Sequence, residues 1–254
     1  MAEQDASGSL AARLEGEFRE HGVEPPRFLG LLAGIDPRFA ASCLGLAARP
    51  WKPHVLEPKV EQFIRLAMNV SVTQLDERGS RAAIRNALQA GATPGEIVEV
   101  LELVAVLGIH TQSLAAPILI ESLGAAGVSV AEDLTPRQVA LRERYISQRG
   151  VWSPPWDAML ILDPDFLEAY LEFSLGPFRD GGALEPKVKE FVWIAVDAST
   201  SHLHAIGTRG HIEGALAKGA SRDEIAEVLQ IVTSIGLHSL DLGLRLLAEE
   251  TAYG

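Results

Sequence analysis

Apolar residues in the segment 57–72, EPKVEQFIRLAMNVSV, recur three and four positions apart at Val60, Phe63, Ile64, Ala67 and Met68, which places them on one side of a helix. The segment that follows Glu185 behaves alike. Further along, Ala-Gly-Ala-Thr-Pro at 90–94 supplies a glycine stop, a threonine cap and a proline at the first helical position, with Glu96 in the first turn. One helix ends there and another starts. Ala-Ser-Arg-Asp-Glu at 220–224 repeats the signal, with Ser221 as cap and acids that complement the helix dipole. Alternating β-branched runs are missing and only 6% of residues are aromatic, so the pattern predicts an all-α chain.

The helical pattern is written twice. LEPKV at 56–60 recurs at 184–188, 128 residues on, and the same shift pairs Phe63 with Phe191, Ala67 with Ala195, Ser71 with Ser199, Arg81 with Arg209, Gly91 with Gly219 and His110 with His238. Upstream, Ile35-Asp36-Pro37 and Phe39 match Leu162-Asp163-Pro164 and Phe166 at a shift of 127. The chain therefore divides into a first copy over 1–124, a linker over 125–150 and a second copy over 151–254. Within the first copy the polar residues 1–9 are expected to be disordered. The linker consists of a loop followed by a helix over 136–149 that Thr135-Pro136 begins.

Composition narrows the function classes. The formal net charge of −12 opposes a polyanionic partner, so nucleic acid is not expected. No uninterrupted apolar run of about 18 residues occurs, and acids stand where a signal peptide would be basic, so the expectation is a cytoplasmic protein without a membrane partner. A single cysteine, Cys43, excludes an internal disulfide and a Cys-x-x-Cys pair. No phosphate loop, dinucleotide fingerprint or nucleophile elbow is present. The four tryptophans, Trp51, Trp152, Trp156 and Trp193, read as core or interface anchors.

The segments RAAIRNALQAGATPGEIVEVLELVAVLGIH and RGHIEGALAKGASRDEIAEVLQIVTSIGLH resemble the carboxymuconolactone decarboxylase family, in its alkylhydroperoxidase D-like form. The resemblance implies a duplicated all-α unit with two pseudo-equivalent halves, a homo-oligomer with the trimer favoured, and an active site between helices that takes a small-molecule substrate. The peroxidase branch of that family carries Cys-x-x-Cys and a histidine at fixed distances before the Ala-Gly-Ala step. Counted back from Gly219, those positions hold His204, Gly207 and His211; counted back from Gly91 they hold Asp76, Gly79 and Ala83. The histidine survives in the second copy and the thiols in neither, so thiol peroxidase activity is not expected.

The second copy is also richer in imidazole. His202, His204, His211 and His238 stand where the first copy has Gln74, Asp76, Ala83 and His110. If 202–217 is one helix, His204 and His211 share a face two turns apart, and a hairpin could bring His238 back beside them. Three readings follow. His211, His204 and His238 would act as general acid and base in a cofactor-independent lyase or isomerase working on a small carboxylate, lactone or keto acid, with Arg209 and His202 binding the substrate and Asp197 a candidate to orient an imidazole. Alternatively His202, His211 and His238 would ligate a divalent metal such as zinc, iron or manganese. In the third reading the protein is a non-catalytic oligomeric scaffold.

Overall fold

Proline opens many of the helices, because a residue with no N–H and a fixed φ loses nothing at the first helical position. The computed structural model describes residues 2–27, 29–47, 54–130, 133–150 and 152–251, and among them there is no strand. The first copy contributes α1 (Ala2–Glu20), α2 (Leu29–Ile35), α3 (Pro37–Ala47), α4 (Pro58–Val70), α5 (Glu77–Gln89), α6 (Pro94–Ala105) and α7 (Ile109–Ala125). After these come α8 (Pro136–Arg149), α9 (Pro155–Leu162), α10 (Pro164–Ser174), α11 (Pro186–Asp197), α12 (Ala205–Ala217), α13 (Arg222–Thr233) and α14 (Leu237–Thr251). Short 3₁₀ turns at Val106–Gly108 and Ser234–Gly236 precede α7 and α14.

The caps repeat as the helices do. Thr93 and Glu96 exchange hydrogen bonds at the start of α6, and Ser221 and Glu224 do so at the start of α13. Asp36 and Asp163 accept from the backbones of Phe39 and Phe166, each at 2.9 Å. Gly91 and Gly219 stop α5 and α12 with φ of 89° and 85°, a left-handed conformation that a side chain would strain. Thr135 forms a capping box with Gln138 and starts the linker helix at Pro136.

Two compact units result, Met1–Val104 with Leu184–Gly254, and Ala105–Ala183, so the packing cuts across the repeat in sequence. In the first unit the equivalent helices α4 and α11 pack on each other, and Ser201 Oγ donates to Thr73 Oγ1 at 3.0 Å. These two residues also match at a shift of 128, so the copies meet about a local pseudo-twofold. Phe18, Leu29, Leu32 and Leu44 of α1–α3 close a core that Leu244 of α14 completes. In the second unit Ile109 and Ala116 of α7 join Leu141, Tyr145, Leu160, Leu167 and Leu171 of α8–α10, with Trp156 edge-on to Tyr145 at 4.5 Å. The last helix of each copy thus packs with the opening helices of the other.

Carboxylates pin the copies together in the first unit. Glu227 of α13, fully buried, accepts from the backbones of Val55 and Leu56 at 2.8 and 3.1 Å and meets His54 Nδ1 at 2.9 Å. Its equivalent, Glu99 of α6, accepts from Leu184 at 3.3 Å and pairs with buried Lys189 at 2.7 Å. By length and composition alone the helical stretches Pro94–Ala125 and Arg222–Thr251 could each cross a membrane. In this fold their buried carboxylates are committed to the chain leading into α11 and α4.

Two expectations change. Residues 2–9, expected to be disordered, are the first turns of α1; Leu14 and Phe18 anchor that helix one turn apart, and it propagates back through residues with no breaker before Leu10 except Gly8. The stretch 202–217 is not one helix, since α12 begins at Ala205 with His204 as its cap. Trp51 lies outside the described residues, whereas Trp193 is buried and Trp152 and Trp156 pack around Tyr145.

Candidate functional site

Each hairpin, α4–α5 and α11–α12, turns through the same unusual backbone. Leu75 and Leu203 are the non-glycine residues with positive φ among the described residues, at 49° and 50°. Behind them Asp76 N donates to Asn69 O and His204 N to Asp197 O, both at 2.9 Å. The turn delivers residue 76 or 204 as N-cap of the next helix. Asp76 accepts from Arg78 and Gly79, and His204 Nδ1 accepts from Gly207 at 3.2 Å.

In the second copy this turn gathers imidazoles around one carboxylate. Glu190, Trp193 and Asp197 share a face of α11 by their three- and four-residue spacing. Asp197 is buried. Its Oδ2 lies 3.4 Å from His204 Nδ1 and 3.8 Å from His211 Nε2, and its Oδ1 lies 3.8 Å from His202 Nε2. The other edge of His211 is held more tightly, Nδ1 to Glu190 Oε2 at 2.7 Å, while Lys218 Nζ meets Glu190 Oε1 at 2.9 Å. The Trp193 ring lies against the His211 ring with centroids 4.7 Å apart and donates its own N–H to Leu103 O.

Burial and charge compete differently at the two acids. At Asp197 burial wins over the pull of the histidines and pushes the carboxyl pKa up. At Glu190 burial pushes the same way, but the hydrogen bonds and charges of His211 and Lys218 outweigh it and hold the pKa below the usual value. Burial also lowers the pKa of His202, against the attraction of Asp197.

Gly207 makes the cluster sterically possible. A Cβ there would sit 1.9 Å from Asp197 Oδ2 and 2.5 Å from His204 Nδ1, and the equivalent Gly79 faces Asp76 and Asn69 in the same way. Gly207→Ala is therefore expected to displace the Asp197 carboxylate, at a stability cost of about 1–3 kcal/mol. A crystal structure of the variant with Asp197 Oδ2 still 3.4 Å from His204 would show that the glycine has no such role.

Of the residues singled out from sequence, His202, His204 and His211 come together. His238 does not join them. The helix breaks at Ser234–Gly236 and α14 starts at Leu237, so His238 lies in a first turn, with Nδ1 3.0 Å from Gln74 Oε1 and Nε2 3.7 Å from Asp76 Oδ2 in the first copy. The metal set of His202, His211 and His238 is consequently not assembled. Arg209 also stands apart: two positions from His211 is about 200° around a helix, and it lies exposed on an open concavity with Leu203, Thr208 and Glu213. Its first-copy equivalent Arg81 pairs with Glu77 at 2.7 Å on the surface.

Glu190, Lys218 and the ring contact of Trp193 were not singled out from sequence. The repeat carried a signal for the first and third. At matching positions α11 has Glu190, Trp193 and Asp197 where α4 has Gln62, Arg65 and Asn69, so the copies diverge along one helix face.

Comparison with known proteins is consistent with the sequence pattern. The profile of the Carboxymuconolactone decarboxylase family matches residues 164–242. A crystal structure from Burkholderia xenovorans, provisionally described as a gamma-carboxymuconolactone decarboxylase subunit, is similar with 40% identity over 96% of this chain and 98% of that one, at a TM-score of 0.89. No curated protein matches the chain.

Proposed function

The chain belongs to the carboxymuconolactone decarboxylase family, and within it we propose that this protein is a cofactor-independent lyase or isomerase whose working group is His211 in the second copy. The observation that carries the reading is the 2.7 Å contact between His211 Nδ1 and Glu190. A carboxylate on one ring nitrogen fixes the tautomer, leaving Nε2 as the nitrogen that takes or gives a proton, and stabilises the imidazolium. The His211 side chain is a quarter exposed, so a substrate can approach it. Asp197 stands beyond Nε2 and stabilises its protonated form.

The suited substrate is a small acid whose carboxylate lies β to a carbonyl or lactone. When its C–C bond to the carboxylate breaks, CO2 leaves and the electron pair passes into the carbonyl as an enolate. His211 Nε2–H then delivers its proton to the carbon, and water returns a proton to the ring. Isomerisation uses the same group, which removes a proton from one carbon and returns it to another. The test is CO2 release or loss of enol absorbance across a panel of small β-keto acids and carboxylated lactones. Turnover of one of them supports the reading; no turnover and no binding across the panel leaves a scaffold.

A second reading has its own observation. One carboxylate oxygen of Asp197 and one ring nitrogen each of His202 and His204 lie within 4.8 Å of one another, a spacing that suits a divalent ion. Metal analysis of tag-free protein decides between the two. Near-stoichiometric zinc, iron or manganese, lost together with activity in His204→Ala, favours the metal; full turnover after chelation favours His211 alone.

A further inference from the structure

The first copy has its own pocket at the position equivalent to the histidine cluster. Ala83 stands where the second copy has His211, and the space is a cavity of about 110 Å³ lined by Gln62, Arg65 and Asn69 of α4, with Asp76, Ala83 and His238 around them. The three α4 side chains are only 5–6% exposed. Each nevertheless has an atom without a hydrogen-bond partner among the described residues: Gln62 Oε1, Arg65 Nε and Asn69 Oδ1.

Buried polar atoms in folded proteins are almost always paired, and three orphans on one wall of one cavity mark the place of a polar guest. The charges around them are largely committed. Glu24 pairs with Arg78 at 2.7 Å, Asp76 accepts from the backbone of its own helix, and Asp241 accepts from the backbone of Arg27. Arg65 differs. Its guanidinium donates to Ala47 O at 3.1 Å, and Glu61 and Glu227 attract its charge without forming an ion pair with it among the described residues. A guanidinium stays charged even when buried, so the unpartnered Nε of this cavity-lining residue is a cationic donor.

We propose that this cavity is a second ligand site, built for a small hydroxycarboxylate. The carboxylate accepts from Arg65 Nε, and the hydroxyl donates to the side-chain oxygen of Asn69 or Gln62. The size agrees, since an apolar cavity of about 150 Å³ takes benzene and this one is somewhat smaller. With alanine at position 83 the site has no proton-transfer group equivalent to His211, so it binds without turnover. The inference does not depend on the chemistry of the second copy.

The experiment is calorimetric titration and crystal soaking of the full chain with L-lactate, and with propionate, which has the same skeleton without the hydroxyl. Lactate is expected to bind at millimolar concentration, about tenfold more tightly than propionate, with density on Arg65 Nε. Asn69→Ser is expected to narrow that preference. Arg65→Gln is expected to weaken lactate by at least about tenfold, with circular dichroism confirming that the variant is folded. Binding that survives in His211→Ala places lactate in the first copy; binding that His211→Ala removes overturns the proposal. It is overturned equally if neither acid gives heat and the soaked cavity holds water only.

Discussion

His211→Ala is expected to lower kcat on an identified substrate by about 10²–10⁴-fold, the contribution typical of a positioned general acid or base. The ring is packed on Trp193 and hydrogen-bonded to Glu190, so its removal leaves a hole as well, and a comparison with Glu190→Gln separates the two effects. Gln keeps the shape and can still accept from Nδ1, but it carries no charge. Because Glu190 has a depressed pKa, it is anionic throughout the range in which an imidazole titrates. Removing that anion takes away the charged partner of the imidazolium formed in the reaction, so kcat should fall by about tenfold or more while KM changes little. A merely structural glutamate would change stability and leave kcat in place. Unchanged turnover in His211→Ala would end the mechanism outright.

The sequence showed the helices and their ends clearly, because those features are local. Thr93, Thr135 and Ser221 cap helices in the structure as their spacing to Glu96, Gln138 and Glu224 requires. The repeat at 128 residues revealed the two halves. It did not reveal that α14 packs with α1–α3 and α7 with α8–α10, since the same apolar stripes would serve a copy closed on itself. That exchange explains the misplacement of His238. A residue in the first turn of α14 faces whatever that helix packs beside, here Gln74 and Asp76, and no local pattern names the neighbour. Glu190 was hidden for a related reason. It reads as one more helical acid until α12 brings His211 and Lys218 against it. His202, His204 and Asp197 were more accessible to reasoning, because the short turn that joins their helices confines them.

Buried carboxylates also tie one copy to the other. Glu227→Ala removes the acceptor of the Val55 and Leu56 backbones, the 2.9 Å partner of His54 and a negative charge near buried Arg65, all supplied by a fully buried carboxylate. Breaking a buried charged contact of this type costs about 3–5 kcal/mol, against a total stability of roughly 5–15 kcal/mol. For a chain of this size the melting temperature should fall by roughly 6–20 °C. Glu99→Ala should behave similarly, since it strips Leu184 of an acceptor and Lys189 of its 2.7 Å partner at the equivalent place. Glu227→Gln, which keeps one acceptor oxygen, should cost less than either. Exposed Glu102, three residues beyond Glu99 on α6, is the control, and its alanine variant should stay within about 0.5 kcal/mol of the parent. Were Glu227→Ala to melt with Glu102→Ala, the carboxylates would not be what ties one copy to the other, and the join would rest on the apolar contact of α4 with α11.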